Sequence, residues 1–313
     1  MSFDLITMGR VGVDLYPEQI GVGLADVQTF AKFLGGSATN VAVAAARLGD
    51  RSAVITKVGD DPFGPYVRRA LEGFGVDARF VGTHPTLRTP IVFCEIHPPD
   101  DFPLLFYREP TAPDMTITVD ELDMDEIRSA RVFWTTGTGL SADPSRAATI
   151  AALEARDGVD GITIHDLDHR PMFWSDESQA GVWAREALRH ATVAVGNRDE
   201  VEVAVGTRDP AEAARRLLER GIELAIVKQG GDGVLVATAD GSETIPPKPV
   251  EVVCGLGAGD AFGGALCHRL LAGDAPADAV RFANAAGAIV AGRLLCADAM
   301  PTESEVLELL EAR

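Results

Sequence analysis

The stretch Cys254-Gly255-Leu256-Gly257-Ala258-Gly259-Asp260-Ala261-Phe262-Gly263-Gly264 joins a glycine-rich turn, a carboxylate and an apolar helix pattern that we predict to begin at Ala261. The alternating glycines leave successive backbone amides accessible, and a helix start adds partial positive charge, so the turn is suited to an anion such as phosphate. Asp260 at its rim would repel the anion, but it could deprotonate an attacking hydroxyl group. The stretch therefore indicates phosphoryl transfer to an alcohol.

Two other phosphate motifs do not fit the chain. A Walker loop requires lysine directly after glycine, and none of the four lysines, Lys32, Lys57, Lys228 and Lys248, follows one. A dinucleotide fingerprint would require glycine where Asp260 stands, and it belongs in the first βα unit of a fold. Taken alone, a Gly-x-Gly stretch is more typical of a glycine C-cap or a tight turn without a ligand, so the rest of the chain has to decide.

Composition narrows the classes of partner. The 313 residues carry a formal net charge of −19, which disfavours nucleic acid and anionic membrane surfaces. The four cysteines form no C-x-x-C pair, no apolar run approaches the ~18 residues that a membrane span needs, and the start lacks a signal-peptide pattern. We therefore expect a cytoplasmic protein that binds neither nucleic acid nor membrane.

A second glycine turn lies near the start of the chain. Residues 4–9 read as a buried strand, and Asp14 lies in the extended arm that follows. Gly35-Gly36 then precedes an alanine-rich helix, and Asn40 one turn into that helix could reach a ligand hydroxyl group. A plain helix start with a hydroxyl cap explains this spacing equally well.

The middle of the chain changes from one pattern to another. Segments 90–97 and 102–108 are predicted to form a hairpin without a helix between them, which suggests a small β lid built from about 10–34 and 83–114. From residue 115 onward strands and helices alternate without a linker. We predict a single α/β domain over 1–313, with a doubly wound, mostly parallel sheet flanked by helices. Asn197 and Glu200 have the spacing of a helix capping box.

Both glycine turns in this order, Gly35-Gly36-x-x-x-Asn40 and Gly257-Ala258-Gly259-Asp260, with the lid and sheet between them, resemble the PfkB/ribokinase family of carbohydrate kinases over essentially the whole chain. The resemblance implies a sugar under the lid, ATP and Mg²⁺ as cofactors, and Asp260 as the base beside the amides of Gly257, Ala258 and Gly259. It also implies substrate ligands at Asp14, Gly35, Gly36 and Asn40, nucleotide contacts at Lys228, Gly230, Gly233 and Asn284, and a place near Mg²⁺ for Asn197 and Glu200. Cys254-Gly255 departs from the Asp-Thr that often precedes the turn in this family, so the resemblance does not extend to a monovalent-cation site.

Arginines at two places point to the class of substrate. Tyr107-Arg108 and the segment Asp166-x-x-x-Arg170 resemble substrate segments of family members that act on 2-keto-3-deoxygluconate, and guanidinium groups suit a carboxylate. The segments 9–21 and 102–114 resemble kinases of 5-dehydro-2-deoxygluconate in myo-inositol catabolism, so we predict phosphorylation of the C6 hydroxyl of this acid. The alternatives are 2-keto-3-deoxygluconate as substrate and a catalytically silent sensor of sugar acid or nucleotide. Edge strands in the lid would allow a homodimer.

Overall fold

The computed structural model describes residues 2–312. The strands are β1 (Leu5–Met8), β2 (Gly12–Pro17), β3 (Phe30–Gly35), β4 (Ser52–Gly59), β5 (Val81–His84), β6 (Ile91–Cys94), β7 (Leu104–Tyr107), β8 (Val132–Thr136), β9 (Ile162–Asp166), β10 (Val193–Asn197), β11 (Leu224–Lys228), β12 (Val234–Thr238) and β13 (Gly241–Ile245). The helices are α1 (Ser37–Arg47), α2 (Phe63–Gly73), α3 (Met124–Ser129), α4 (Ser145–Glu154), α5 (Ala180–Leu188), α6 (Arg198–Val205), α7 (Pro210–Leu218), α8 (Ala258–Leu271), α9 (Pro276–Ala291) and α10 (Glu303–Glu311). None of these helices is both long and apolar enough to cross a membrane.

Nine strands form the large sheet in the order β13-β12-β11-β10-β9-β8-β1-β4-β5. The strand pairs from β11 to β5 in this order are parallel. Strand β12 pairs antiparallel with both β11 and β13. Strand order reverses beside β1, whose neighbours are β4 and β8, so β1 marks the switch point where α/β sheets place their ligands. The predicted doubly wound, mostly parallel sheet is confirmed.

Side chains of the sheet alternate between two helical layers. Leu5, Val132 and Val193 pack in a core with α1, α8 and α9, whereas their neighbours Ile6 and Phe133 pack with α3 and α4. This alternation follows from the two-residue period of a strand, and both faces are apolar because each is covered by helices. The carboxyl edge of the sheet is left open for polar loops.

The lid is a separate four-stranded sheet in the order β3-β2-β6-β7. The hairpin expected in the segments 90–97 and 102–108 is present as antiparallel β6 and β7, while β2 and β6 pair in parallel. The structure differs at the start of the second predicted lid segment, 83–114, because β5 (Val81–His84) pairs with β4 in the large sheet. The lid sheet therefore draws its strands from residues 12–35 and 91–107.

Helices α1 and α8 are in close contact, which brings the two glycine turns together. A Cβ atom on Gly264 would lie 2.4 Å from the Cβ of Ala44, so only glycine allows the helices to approach this closely. The start of α8 corrects our prediction, because the helix begins at Ala258 and not at Ala261. Gly257 adopts φ 82° at the N-cap, and this left-handed conformation lets the helix start directly behind it.

Candidate active site

A cavity of about 600 Å³, counted with its mouth, lies between the lid and the carboxyl edge of the large sheet. Residues from both glycine turns and from the lid line it, among them Asp14, Gly36, Asn40, Arg108, Arg170, Gly257 and Asp260. Segments more than 200 residues apart in the chain thus meet in one site. We call it the acidic-base cavity, after the carboxylate of Asp260.

The glycine turn presents free amides at the start of α8. A Cβ atom on Gly257 would lie 2.8 Å from Sγ of Cys296, so the site excludes any side chain there. Among residues 2–312, no protein acceptor receives the amide hydrogens of Gly259 and Asp260. These N–H groups and the positive end of the helix are therefore available to an anion. The prediction named the amides of Gly257, Ala258 and Gly259, but that of Ala258 donates to the carbonyl oxygen of Gly255 at 3.4 Å.

Asp260 lies in the first turn of α8 and is held from α1. Ser37 Oγ donates to Asp260 Oδ1 at 2.8 Å, and Asn40 Nδ2 donates to Asp260 Oδ2 at 2.8 Å. Burial raises the pKa of Asp260, while the two hydrogen bonds and the charge of Arg10 counteract that rise. The result is an oriented carboxylate that can accept a proton from a neighbouring hydroxyl group.

The first glycine turn makes room for Asp14 and for the backbone at Arg10. A Cβ atom on Gly35 would lie 2.1 Å from the carboxyl carbon of Asp14, and one on Gly36 would lie 2.4 Å from the carbonyl oxygen of Arg10. Asp14 is 8% exposed and accepts no hydrogen bond within the described part of the chain. Its pKa is raised to about 7, first by burial and then by the charge of Asp260, with Arg10 opposing. A ligand hydroxyl group would supply the missing donor.

Three guanidinium groups lie in the same cavity, those of Arg10, Arg108 and Arg170. Arg10 Nη2 lies 3.0 and 3.3 Å from the two carboxylate oxygens of Asp168, and Arg108 Nη2 donates to Asp114 Oδ1 at 2.6 Å. Arg170 Nε lies 3.3 Å from Asp168 Oδ1, and it is a buried atom without a hydrogen-bond partner. The three guanidinium groups thus lie beside the carboxylates of Asp168 and Asp114, and Asp14 and Asp260 line the same cavity.

Aromatic rings support these arginines. The ring of Phe173 lies 5.7 Å from the guanidinium carbon of Arg10 and 5.2 Å from that of Arg108, and Phe106 packs edge-on against Phe173 at 5.1 Å. Burial alone would raise the pKa of Asp168, but Arg10 and Arg170 hold it below its usual value. The cluster therefore remains charged and is fixed in place.

Tyr107 does not belong to the cavity, which corrects our prediction from the sequence. It is 60% exposed and packs against Phe93 at 5.4 Å between ring centroids. Leu104, Phe106 and Arg108 line the cavity instead, because successive side chains of an extended strand point to opposite faces. Phe106 is thus the aromatic residue of this step that contacts the site.

A second cavity of about 1160 Å³, which includes open solvent, lies on the other side of the glycine turn. All four residues predicted to contact the nucleotide line it, namely Lys228, Gly230, Gly233 and Asn284, together with the apolar Val250, Val252 and Phe262. Gly233 has φ 92°, and a Cβ atom there would lie 2.2 Å from the carbonyl oxygen of Ile245. We call this space the apolar cavity.

The glycine turn forms the wall between the two cavities. Leu256, Gly257 and Asp260 line the acidic-base cavity, whereas Gly255, Ala258 and Gly259 line the apolar one. A group transferred from the apolar cavity to the acidic-base cavity would therefore pass the free amides at the start of α8. This arrangement suits transfer of an anionic group between two ligands.

Asn197 and Glu200 form the capping box of α6. Asn197 Oδ1 accepts from the amide of Glu200 at 3.0 Å, and Glu200 Oε2 accepts from the amide of Asn197 at 2.7 Å. Burial raises the pKa of nearby Asp166 to about 7, with Lys228 lowering it and Glu200 raising it further. The helix-capping interpretation is confirmed, and a place near a metal stays a prediction for these two residues.

The acidic residues around Lys228 are candidate ligands for Mg²⁺. Within residues 2–312, no group of three or more His, Cys, Asp or Glu side chains could hold a metal ion alone. Asp166 and Glu200 nevertheless interact electrostatically with Lys228, at the margin of the apolar cavity. Oxygen ligands in this number fit a Mg²⁺ ion that is bound mainly by nucleotide phosphates.

Sequence reasoning missed four residues of the site: Arg10, Ser37, Phe106 and Phe173. Arg10 stands between Gly9 and Val11-Gly12, after the first strand, and this position could have suggested a role. Ser37 follows Gly36 directly, at the place of a helix cap, so its sequence position favours the less specific interpretation. Nothing local to Phe173 indicates that it lies under two arginines that are distant in the chain.

Comparison with known proteins agrees with this geometry. Residues 2–303 match the pfkB family carbohydrate kinase. Among curated relatives, the 5-dehydro-2-deoxygluconokinase of Photobacterium profundum is 35% identical over 99% of this chain and 95% of its own, and that of Clostridium beijerinckii is 31% identical over 99% and 93%.

Solved structures show the same fold. A Vibrio cholerae O395 fructokinase double mutant, in its fructose, ADP and potassium ion bound form, has a TM-score of 0.88 and 28% identity, with 99% of both chains covered. An Escherichia coli structure described as a ribokinase II in complex with ATP and Mg²⁺ has a TM-score of 0.90 and 23% identity, with 100% of both chains covered. The chain belongs to the pfkB family of carbohydrate kinases.

Proposed function

We propose that this protein transfers the γ-phosphoryl group of ATP to the C6 hydroxyl of 5-dehydro-2-deoxy-D-gluconate and releases ADP and the 6-phosphate. The observation that carries the proposal is the position of Asp260 and the free amides beside it, between a charged cavity and an apolar one. The names of the curated relatives support the substrate. The sugar acid would occupy the acidic-base cavity, and ATP the apolar cavity.

In the reaction, Asp260 takes the proton of the C6 hydroxyl as its oxygen attacks the γ-phosphorus. A new O–P bond forms, the bond between the γ-phosphorus and the bridging oxygen breaks, and the electron pair of that bond stays on ADP. The amides of Gly259 and Asp260 donate to the phosphoryl oxygens, on which negative charge is spread. When bound, Mg²⁺ would neutralise phosphate charge, held by the nucleotide with Asp166 and Glu200 nearby.

The carboxylate of the substrate is assigned to the arginine cluster. Arg10, Arg108 and Arg170 bring three guanidinium groups into this cavity, and the Nε of Arg170 lacks a hydrogen-bond partner, so it can donate to a carboxylate. Asp14 and the Oδ1 of Asn40 would accept hydrogen bonds from hydroxyl groups of the sugar. A neutral sugar would offer no charged acceptor to the Nε of Arg170.

A panel of acceptors tests the substrate. ADP formation is measured with 5-dehydro-2-deoxygluconate, 2-keto-3-deoxygluconate, ribose and fructose, and the phosphorylated position is read by ³¹P NMR. We expect the highest kcat/KM with 5-dehydro-2-deoxygluconate. A higher value with 2-keto-3-deoxygluconate would assign that acid instead, and a preference for neutral sugars would contradict the role of the arginines.

The same panel addresses a silent sensor. Such a protein would bind ATP or a sugar acid in calorimetry but would form no ADP with any acceptor. The presence of Asp260 with both oxygens engaged, next to unpaired amides, favours catalysis over binding alone. An Asp260→Asn preparation serves as the blank for contaminating kinase activity.

We further propose that two copies pair through the outer face of the lid sheet. Tyr107 is 60% exposed and Leu105 is 48% exposed, and Phe93 packs beside Tyr107 on the same face. Sedimentation velocity is expected to show a dimer that Leu105→Glu weakens, while Val182→Glu, at a 46% exposed position on α5, leaves it unchanged. A monomer in the unaltered protein would contradict this.

A cytoplasmic location, where ATP is supplied, stays a prediction.

A further inference from the structure

The carboxylate of Asp260 is bound at both oxygens by one helix. Ser37 and Asn40, three residues apart on α1, each donate to a different oxygen at 2.8 Å. Asn40 has a second polar atom, Oδ1, which is buried and lacks a partner, so Asn40 is able to contact a ligand as well. The hydroxyl group of Ser37 has no hydrogen bond other than the one to Asp260 within the described residues.

We infer that Ser37 is a positioning residue of the phosphoryl transfer, whose hydroxyl group orients Asp260 and keeps it ionised for proton abstraction. The inference rests on the proposed function. It separates the tasks of two neighbouring residues on α1. Asn40 can contact both substrate and base, whereas Ser37, which also lines the cavity, donates its hydroxyl hydrogen to Asp260 and acts on the reaction through that contact.

The surroundings of Ser37 fix its hydroxyl group in place. Ser37 is 8% exposed at the first position of α1, directly after Gly36, whose φ of 102° turns the chain into the helix. The helix itself is held at its carbonyl groups, since Thr7 Oγ1 donates to the oxygen of Ala38 and Ser52 Oγ donates to that of Ala42, both at 2.8 Å. A donor fixed before the reaction loses little entropy when it acts.

The charges that face Asp260 come from several elements and have both signs. They are Arg10 after β1, Asp14 on β2, Asp166 on β9, Asp168 after β9, Lys228 on β11 and the thiol of Cys296 after α9. With Asp260 itself, the group contains four carboxylic acids and two cations. The electrostatic field of these charges alone therefore does not keep Asp260 ionised, and neighbouring hydrogen-bond donors are needed. Burial already raises the pKa of Asp260, and the hydroxyl group of Ser37 lowers it. Removal of that hydroxyl group should raise the pKa further.

The experiment measures kcat/KM against pH for the unaltered protein, Ser37→Ala and Ser37→Thr, with 5-dehydro-2-deoxygluconate and MgATP. For Ser37→Ala we expect the acidic limb of the plot of kcat/KM against pH to move to higher pH. At pH values on the acidic side of this limb, kcat/KM should fall by about tenfold, the size expected for a hydrogen bond to a charged group. Ser37→Thr keeps the hydroxyl group and should retain the limb of the unaltered protein. Ser37→Cys, a weaker donor, should lie between them.

Ser52→Ala is the matched control, because it removes another buried hydroxyl group that donates to α1, from β4, and that makes no hydrogen bond to Asp260 within the described residues. It should leave the limb in place. If Ser37→Ala raises KM for the sugar acid with an unshifted limb, Ser37 binds substrate and the inference is wrong. If Ser37→Ala does not fold, a limb for Ser37→Cys equal to that of the unaltered protein overturns the inference equally. Failure of the unaltered protein to phosphorylate any acceptor would instead reject the proposed function.

Discussion

The two cavities on either side of the glycine turn differ in chemistry. The acidic-base cavity contains three guanidinium groups and the carboxylates of Asp14 and Asp260, brought in by the lid, by loops at the sheet edge and, for Asp260, by the first turn of α8. The apolar cavity is formed by glycines, prolines and valines, with Lys228 and Lys248 as its cations. A charged lining can discriminate between similar small ligands, because a mismatch leaves a buried group unpaired. An apolar cleft accepts a flat ring mainly through its shape and area.

Asp260→Asn should have the largest effect, because it removes the carboxylate at the wall between the cavities, while the lining of the apolar cavity stays intact. We expect kcat to fall by about 10²–10⁴-fold through loss of the general base. ATP affinity, measured by calorimetry, should change little, since the apolar cavity is intact. Turnover close to that of the unaltered protein would show that Asp260 is not the base.

Arg170→Ala tests whether the charge of the acidic-base cavity selects the substrate. The Nε of Arg170 has no hydrogen-bond partner in the protein, so its removal should take a contact from the sugar acid and raise KM by about 10–100-fold, in line with a hydrogen bond between charged groups. Steady-state kinetics with the acid and with fructose provide the measurement, and turnover of fructose, if any, should stay nearly constant.

Arg128→Ala is the control for a lost arginine, because Arg128 lies 51% exposed on α3 with only a surface ion pair to Asp125. Arg128→Ala should leave the kinetics with the sugar acid and with fructose unchanged. Equal losses with the acid and with fructose in Arg170→Ala would indicate that Arg170 supports the structure and does not read the carboxylate.

Gly233→Ala addresses the apolar cavity. The φ of 92° and the approach of the Ile245 carbonyl oxygen to 2.2 Å require the loop to shift, so KM for ATP should rise several-fold while KM for the sugar acid stays constant. Gly221→Ala is the matched control, with φ 98° and open space around it, and should cost only the strain of about 1–2 kcal/mol in free energy of unfolding. A rise in both KM values would mean that the two cavities are not independent.

The smallest expected effect is a change in the free energy of unfolding, caused by a residue outside both cavities. A hydrogen bond that Nδ1 of His268 on α8 donates to the carboxylate of Asp50 raises the pKa of His268, and burial opposes the shift. The stabilisation is therefore fully present below the usual histidine pKa of about 6.5 and is lost as pH rises through the raised value. We expect His268→Gln to lower the free energy of unfolding by about 1 kcal/mol at pH 6 and by less at pH 9. Equal losses at both pH values in urea unfolding would contradict the role of the charge.

Much of the fold could be predicted because its signals are local. Strand runs, glycine turns and the hairpin at 90–108 follow from periodicity and from residues with special backbone freedom, and the structure agrees. The start of α8 at Ala258 was missed, since the rule places a polar cap before a helix and here Gly257 takes that place with positive φ. Tyr107 was assigned to the wrong face because the register of a lid strand is set by its partners.

The sequence by itself determined the chemistry of this protein: a carboxylate behind a glycine-rich turn, a second glycine turn, and arginines near aromatic residues. These features are local, because they depend on residue type and spacing. Only the tertiary structure decided that Ser37 and Asn40 hold Asp260, that Arg10 joins Arg108 and Arg170, and that the turn separates two cavities. Such contacts join residues as far as 223 positions apart, and they depend on how α1 packs on α8 and where the lid lies, which no local pattern encodes.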